Sequence, residues 1–260
     1  MFPSFVKGRR LPILFLVFAL LTACQQNSES ASMKPVSVRL ELSPTLEYLS
    51  PAIQACSLQV GSIHIVLEEK PVGEMSKTGA DVSLRWGDIG LKENQFVYRI
   101  GSDRLVFAVH KENPVTLLEK SQMIVLLRGG LGTWADALDQ YCPNCTASET
   151  FRKTAVEPWQ YSAGTDIHGE LSRLVPEIDS AGLNPVWLAP APKNLVESIT
   201  NNPGAIGWLP ARWLSNNLKE VAIEGIDPGA QTIPVIAITP LQPQPEIQQF
   251  LECLQSSYGN

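Results

Sequence analysis

Twice along this chain an extended run leads directly into a helix start made of small hydroxyl residues, and that pattern restricts the fold more than any other feature. Val36–Leu42 (VSVRLEL) alternates apolar and polar residues as a half-buried strand does, and Ser43-Pro44-Thr45 follows it. A Ser cap with Pro at the first helical position is a helix start, and Leu46, Leu49, Ile53 and Cys56 supply a buried face. The second unit is Glu157–Gln160 followed by Tyr161-Ser162-Ala163-Gly164-Thr165-Asp166. Beyond it Ile167, Leu171, Leu174, Val175 and Ile178 recur at the spacing of an amphipathic helix, with Thr165 or Asp166 as its cap. A helix start presents free amide N–H groups and the positive end of the dipole, so small hydroxyl residues there can bind an anion without a large cation. Gly164 lets the backbone come close to whatever sits above it. The same Ser, Gly, Thr and Asp also compose an ordinary capped loop.

The first 34 residues stand apart from this pattern. Lys7, Arg9 and Arg10 form a positive region, Leu11–Leu21 an apolar run too short to span a bilayer, and Leu21-Thr22-Ala23-Cys24 ends it. This resembles a bacterial lipoprotein signal with its lipobox; an ordinary signal peptide or a membrane anchor is the alternative. The resemblance implies a leader over residues 1–23, cleavage before Cys24, and acylation of that thiol, palmitate being one of the chains expected there. The mature chain is then tethered outside the cytoplasmic membrane through its lipid alone, with residues 24–35 as a polar tether. Losing the leader removes three positive charges and no acids, so the formal net charge goes from −6 to −9. Such a balance argues against a nucleic-acid partner.

With Cys24 assigned to the lipid, Cys56, Cys142, Cys145 and Cys253 remain, an even number in an exported chain, and three disulfide connectivities are possible. Cys142-Pro143-Asn144-Cys145 could pair locally, which leaves Cys56 with Cys253. A redox CxxC and half of a zinc site are the rival readings. Zinc lacks a second CxxC or an HxxxH, and the CxxC lacks the following amphipathic helix that would lower a thiol pKa. No metal or other cofactor is therefore expected. His64 and His110 fall in strand patterns as core or edge residues, whereas His168 lies in the first turn after the loop, where it could face a bound anion.

Further strands are expected at Ser62–Leu67 and Gly79–Leu84, the latter ending in Arg85-Trp86, where Arg85 could meet a ligand or stack on Trp86. Gln95–Ile100 and Arg104–His110 read as consecutive strands about a Gly-Ser-Asp turn, and a short helix is expected over Leu117–Met123. At this point four blocks fall in a known order. They are Arg104–Val115 with its Asn113-Pro114-Val115, Leu126–Trp134, Ser162-Ala163-Gly164-Thr165 at the place of an "SGT" loop, and Asn202-Pro203-Gly204-Ala205-Ile206-Gly207-Trp208. Ile233–Ile238 and a terminal helix over Pro245–Ser256 close the series. Together they resemble the type II periplasmic substrate-binding proteins of ABC transporters, in the phosphate-type branch.

The resemblance implies an α/β chain of two lobes, each a mixed sheet flanked by helices, with residues 36–98 and 222–260 in one lobe and 99–221 in the other. Cys56 and Cys253 would then lie on helices of one lobe and pair. It implies a monomer without catalytic activity that takes a small anionic or polar ligand between the lobes and presents it to an ABC permease. The ligand set carried over is Ser43, Thr45, Arg85, Ser162, Ala163, Gly164, Thr165 and Asp166. Two departures stand beside it. The phosphate binders carry an Arg shortly before the "SGT" block, and Pro158–Tyr161 contains none; Asp81 and Arg85 keep the family's Asp and Arg at a compressed spacing. The alternative function is a degenerate binding module that senses or makes surface contacts without transport.

Overall fold

A computed structural model describes residues 35–75, 79–178 and 187–259. The leader, Cys24 and nearly all of the tether lie outside the described residues. The chain from Pro35 onward forms one compact unit, and its centre is a single strand of 15 residues. That strand, β4 (Phe96–His110), changes neighbours along its length. Phe96–Arg104 pairs antiparallel with β10 (Thr232–Thr239), while Leu105–His110 lies between β8 (Ala205–Pro210) and β9 (Leu218–Glu224). Every residue from Leu105 to His110 is buried, as in a strand covered on both faces.

On one side β4 and β10 extend through β3 (Val82–Trp86) and β1 (Val36–Leu42) to β2 (Ile63–Glu69) at the edge. On the other side β8 extends through β6 (Glu157–Tyr161) to β7 (Trp187–Ala189), and the short β5 (Leu117–Glu119) pairs with β9. The result is a mixed sheet of two halves sharing β4. The helices are α1 (Ser50–Val60), α2 (Lys120–Leu127), α3 (Trp134–Tyr141), the single turn α4 (Glu149–Arg152), α5 (Asp166–Leu174), α6 (Pro192–Asn201) and α7 (Pro245–Tyr258). α7 buries Ile247, Phe250, Leu251, Leu254 and Tyr258, one stripe of its surface. Cys56 on α1 and Cys253 on α7 are joined across a Cα–Cα distance of 5.7 Å, and Cys142 pairs with Cys145 at the end of α3.

Three expectations are corrected. Gly101-Ser102-Asp103 makes no hairpin turn, because β10 pairs across it, with a register shift at Val235/Ile236. Gly101 is there for space: a Cβ on it would lie 2.1 Å from the Tyr258 ring. The helix expected over Leu117–Met123 begins only at Lys120, since Leu117–Glu119 pairs with β9 and Glu119 and Gln122 form a capping box. The α5 helix ends at Leu174 rather than running to Ile178, because Pro176 disfavours helical backbone at Val175. Val175 and Ile178 nevertheless remain in the core.

Candidate functional site

Both strand-to-helix loops come to the same place. After β1, Ser43 caps a short 3-10 turn (Pro44–Leu49): its Oγ accepts from the Thr45 amide at 3.2 Å, and its own amide donates to the Leu84 carbonyl at 3.0 Å. After β6, Thr165 is the cap of α5, its Oγ1 accepting from the His168 amide at 3.2 Å and donating to the Ser162 carbonyl at 3.0 Å. Gly164 holds φ of +91°, which a side chain would resist, and its carbonyl accepts from the Gly73 amide at 3.0 Å. The 71–75 segment is thereby closed against the 162–165 loop.

Asp166, the first residue of α5, points its carboxylate across to the other half of the sheet. Oδ2 accepts from Ser43 Oγ at 2.5 Å and from the Trp86 amide at 3.2 Å. Oδ1 accepts from Thr45 Oγ1 and from the Ile167 amide at 3.0 Å. Each oxygen thus has two donors, in a place where Asp166 is only 7 % exposed and Ser43 and Thr45 less still. Burial pushes the Asp166 carboxyl above its ordinary range, and these donors pull it back. Tyr161 lines a small void together with Ser43, Thr45 and Asp166, and its hydroxyl is buried without a partner among the described residues. Burial first, and then the Asp166 charge, pushes its pKa well up. Trp213 Nε1 donates to the Thr45 carbonyl at 2.8 Å and so fixes that turn against the second half of the sheet.

Beside this cradle lies a cavity of about 210 Å3 whose walls include Gly73, Arg85, Trp86, Gly164, Thr165 and Glu170. Arg85 donates to the Ile89 carbonyl at 2.6 Å, and its Nε is buried without a partner among the described residues. Burial lowers the Arg85 pKa, opposed by the charges of Asp166, Glu170 and Asp88. Glu170, nearly inaccessible, accepts from Arg173 Nε at 2.9 Å, and burial raises its carboxyl above the ordinary range.

Of the residues expected at the site, Ser43, Thr45 and Asp166 meet in one cluster, and Arg85, Gly164 and Thr165 line the adjoining cavity. Ser162 and Ala163 stand exposed and line neither space. Arg85 and Trp86 make no stack: Trp86 is fully buried while Arg85 reaches to Ile89. Sequence reasoning missed the Trp86 amide, which no side-chain pattern reveals. It also missed Gly73, whose place after Pro71-Val72 reads only as a turn, and Glu170, which falls one turn beyond Asp166 on α5.

No family model matches the sequence, and no curated protein matches it. Solved structures do. A phosphate ABC transporter substrate-binding protein from Clostridium perfringens, with bound phosphate, superposes with a TM-score of 0.66 at 14 % identity, over 86 % of this chain and 94 % of that one. An ABC-type phosphate transport receptor from Vibrio cholerae gives 0.60 at 12 % identity, over 85 % and 95 %. The regulatory domain of Synechocystis CcmR in complex with 2-PG gives 0.58 at 13 % identity, over 86 % and 98 %. Receptors and regulatory domains match alike, so what the likeness establishes is architecture: this chain has the fold of the type II periplasmic binding proteins.

Proposed function

We propose that this chain is a solute-binding protein, lipid-anchored through Cys24 outside the cytoplasmic membrane, that takes a small anionic or polar ligand between the two halves of its sheet and delivers it to an ABC permease. The observation that carries this reading is the convergence of Ser43 Oγ, Thr45 Oγ1, the Trp86 amide and the start of α5 on one buried anionic group. Donors from both halves around one charge are what a cleft that closes on an anion requires. The 210 Å3 cavity beside them supplies room for a small solute with Arg85 at its wall. Charge-assisted hydrogen bonds of about 1.5–3 kcal/mol each reach micromolar affinity, about 8 kcal/mol, with only a few contacts. No bond-breaking is part of this function.

A second reading, sensing without transport, is favoured by one observation: the cradle is already filled by Asp166. A thermal-shift panel of inorganic phosphate, sulfate, molybdate and small organic acids tests the first reading, together with labelling of Cys24 by palmitate. A shift that the Arg85→Ala variant loses supports it. No shift with any compound, in a protein that folds and carries its lipid, leaves the sensing reading instead.

A further inference from the structure

We propose that Asp166 is a built-in ligand: its carboxylate occupies the anion cradle in place of a free oxyanion, holds the two halves together, and keeps inorganic phosphate and sulfate out. The proposal rests on the reading of this cleft as the binding site and names what that site refuses.

The four donors of the cradle are all spent on one group. Ser43 and Thr45 each have a single hydroxyl hydrogen, and both go to Asp166, as do the Trp86 and Ile167 amides. Three of these donors, Ser43 at the cap and Thr45 within the 3-10 turn after β1 and Trp86 on β3, belong to one half, whereas the carboxylate belongs to α5 on the other. The contact therefore does what a bound anion does in a closing cleft, with the anion attached covalently to one wall. Attachment gives the carboxylate a millimolar or higher effective concentration, against which a free ion must compete. A free oxyanion entering beside Asp166 would also meet its charge, with Glu170 bordering the same cavity and already engaged by Arg173. Tyr161 lines the same small void, and its hydroxyl, buried and without a partner among the described residues, is a polar group that Asp166 leaves unused. Removing the carboxylate would leave Ser43, Thr45, the Trp86 amide, the α5 mouth and Tyr161 around an empty volume suited to a tetrahedral oxyanion.

The test is calorimetric titration of the full mature protein and of Asp166→Ser with inorganic phosphate and with sulfate at neutral pH, beside small-angle scattering of each protein without added anion. The expected result is no measurable binding by the wild type at millimolar anion. Asp166→Ser should bind one of the two ions about tenfold or more tighter, and should be more extended than the wild type until the ion is added. Wild-type binding as tight as that of the variant overturns the proposal, as does a folded Asp166→Ser that binds neither ion. Should Asp166→Ser fail to fold, Asp166→Ala, which also empties the cradle, must show a gain in the same direction, and no gain there overturns the proposal too. A wild type that binds an organic solute while neither variant gains an oxyanion removes the built-in ligand and leaves the cleft reading standing. A variant that gains an oxyanion while the wild type binds nothing in the panel does the reverse.

Discussion

Ser43 Oγ and the Asp166 carboxylate lie 2.5 Å apart across 123 residues of chain, and the contact joins the two halves of the sheet. Thr45 makes the matching contact to the other carboxylate oxygen. A buried carboxylate deprived of one donor keeps its desolvation penalty, so Thr45→Ala should lower stability by about 1–3 kcal/mol in urea unfolding. In an Asp166→Ala background the same substitution should cost much less, because the group it served has gone. Equal losses in the two backgrounds would show that Thr45 acts through its own turn and not through Asp166.

Asp103 offers a pH prediction. It is buried on β4, its Oδ1 accepts from the Arg104 amide at 2.8 Å, and its Oδ2 has no partner among the described residues. Burial raises its pKa from the ordinary 3.8, against the pull of Arg104 and Arg212. A carboxyl with a raised folded pKa holds its proton more tightly in the folded chain than in the unfolded one. The stability this contributes is complete below the unfolded value and is lost as the pH rises through the folded value. Asp103→Asn cannot lose it. Unfolding free energies followed from the acid range upward should therefore shift in favour of the variant as neutrality is approached, and parallel curves would contradict the assignment.

The two disulfides should differ sharply in weight. Cys56–Cys253 closes a span of 197 residues and Cys142–Cys145 a span of 3. Loop entropy assigns about 5 kcal/mol to the first and about 2 kcal/mol to the second. Replacing Cys56 and Cys253 together by Ala should lower the urea midpoint well beyond the effect of replacing Cys142 and Cys145. Similar shifts for the two pairs would mean that residual structure in the unfolded chain, and not closure of the long loop, governs the outcome.

Gly101→Ala should destabilise by about 1–3 kcal/mol as an overpacking change, since its Cβ would stand 2.1 Å from the Tyr258 ring. That ring is held by Arg212, 4.0 Å above its centroid, and by the Tyr48 hydroxyl at 3.2 Å. In a Tyr258→Ala background the added methyl should be nearly free. If it costs as much there, the strand itself and not the ring requires glycine.

Gly101 also shows where sequence and structure part. The alternation of VSVRLEL, the Ser43-Pro44 start, the Thr165 cap and the even cysteine count are local or arithmetic signals, and the chain carries them openly. Gly-Ser-Asp looks like a turn because local composition cannot distinguish a glycine that bends the chain from one that makes room for a distant ring. Asp166 is a similar case. An acid in the first turn of a helix is favoured there by the dipole alone, so nothing nearby reveals that its carboxylate turns to Ser43 and Thr45. The Trp86 amide belongs to the backbone and leaves no trace in residue type.

Thr165 and Arg85 border the same cavity, yet their polar atoms are differently placed. The Thr165 hydroxyl is already spent within its own loop, on the Ser162 carbonyl and the His168 amide, whereas Arg85 Nε is buried without a partner among the described residues. Thr165→Ala removes a cap and should lower stability by about 1 kcal/mol. It should leave the affinity for a solute found by the thermal-shift panel within about threefold, which is less than one hydrogen bond. Arg85→Ala removes a cation at the cavity wall whose Nε has no partner among the described residues, and should weaken binding of an anionic solute by about tenfold or more, as a lost charge-assisted bond does. Calorimetry on both variants beside their melting curves separates the two effects. A Thr165→Ala protein that loses more affinity than Arg85→Ala would place the ligand on the α5 mouth itself and require the hydroxyl to leave its cap on binding.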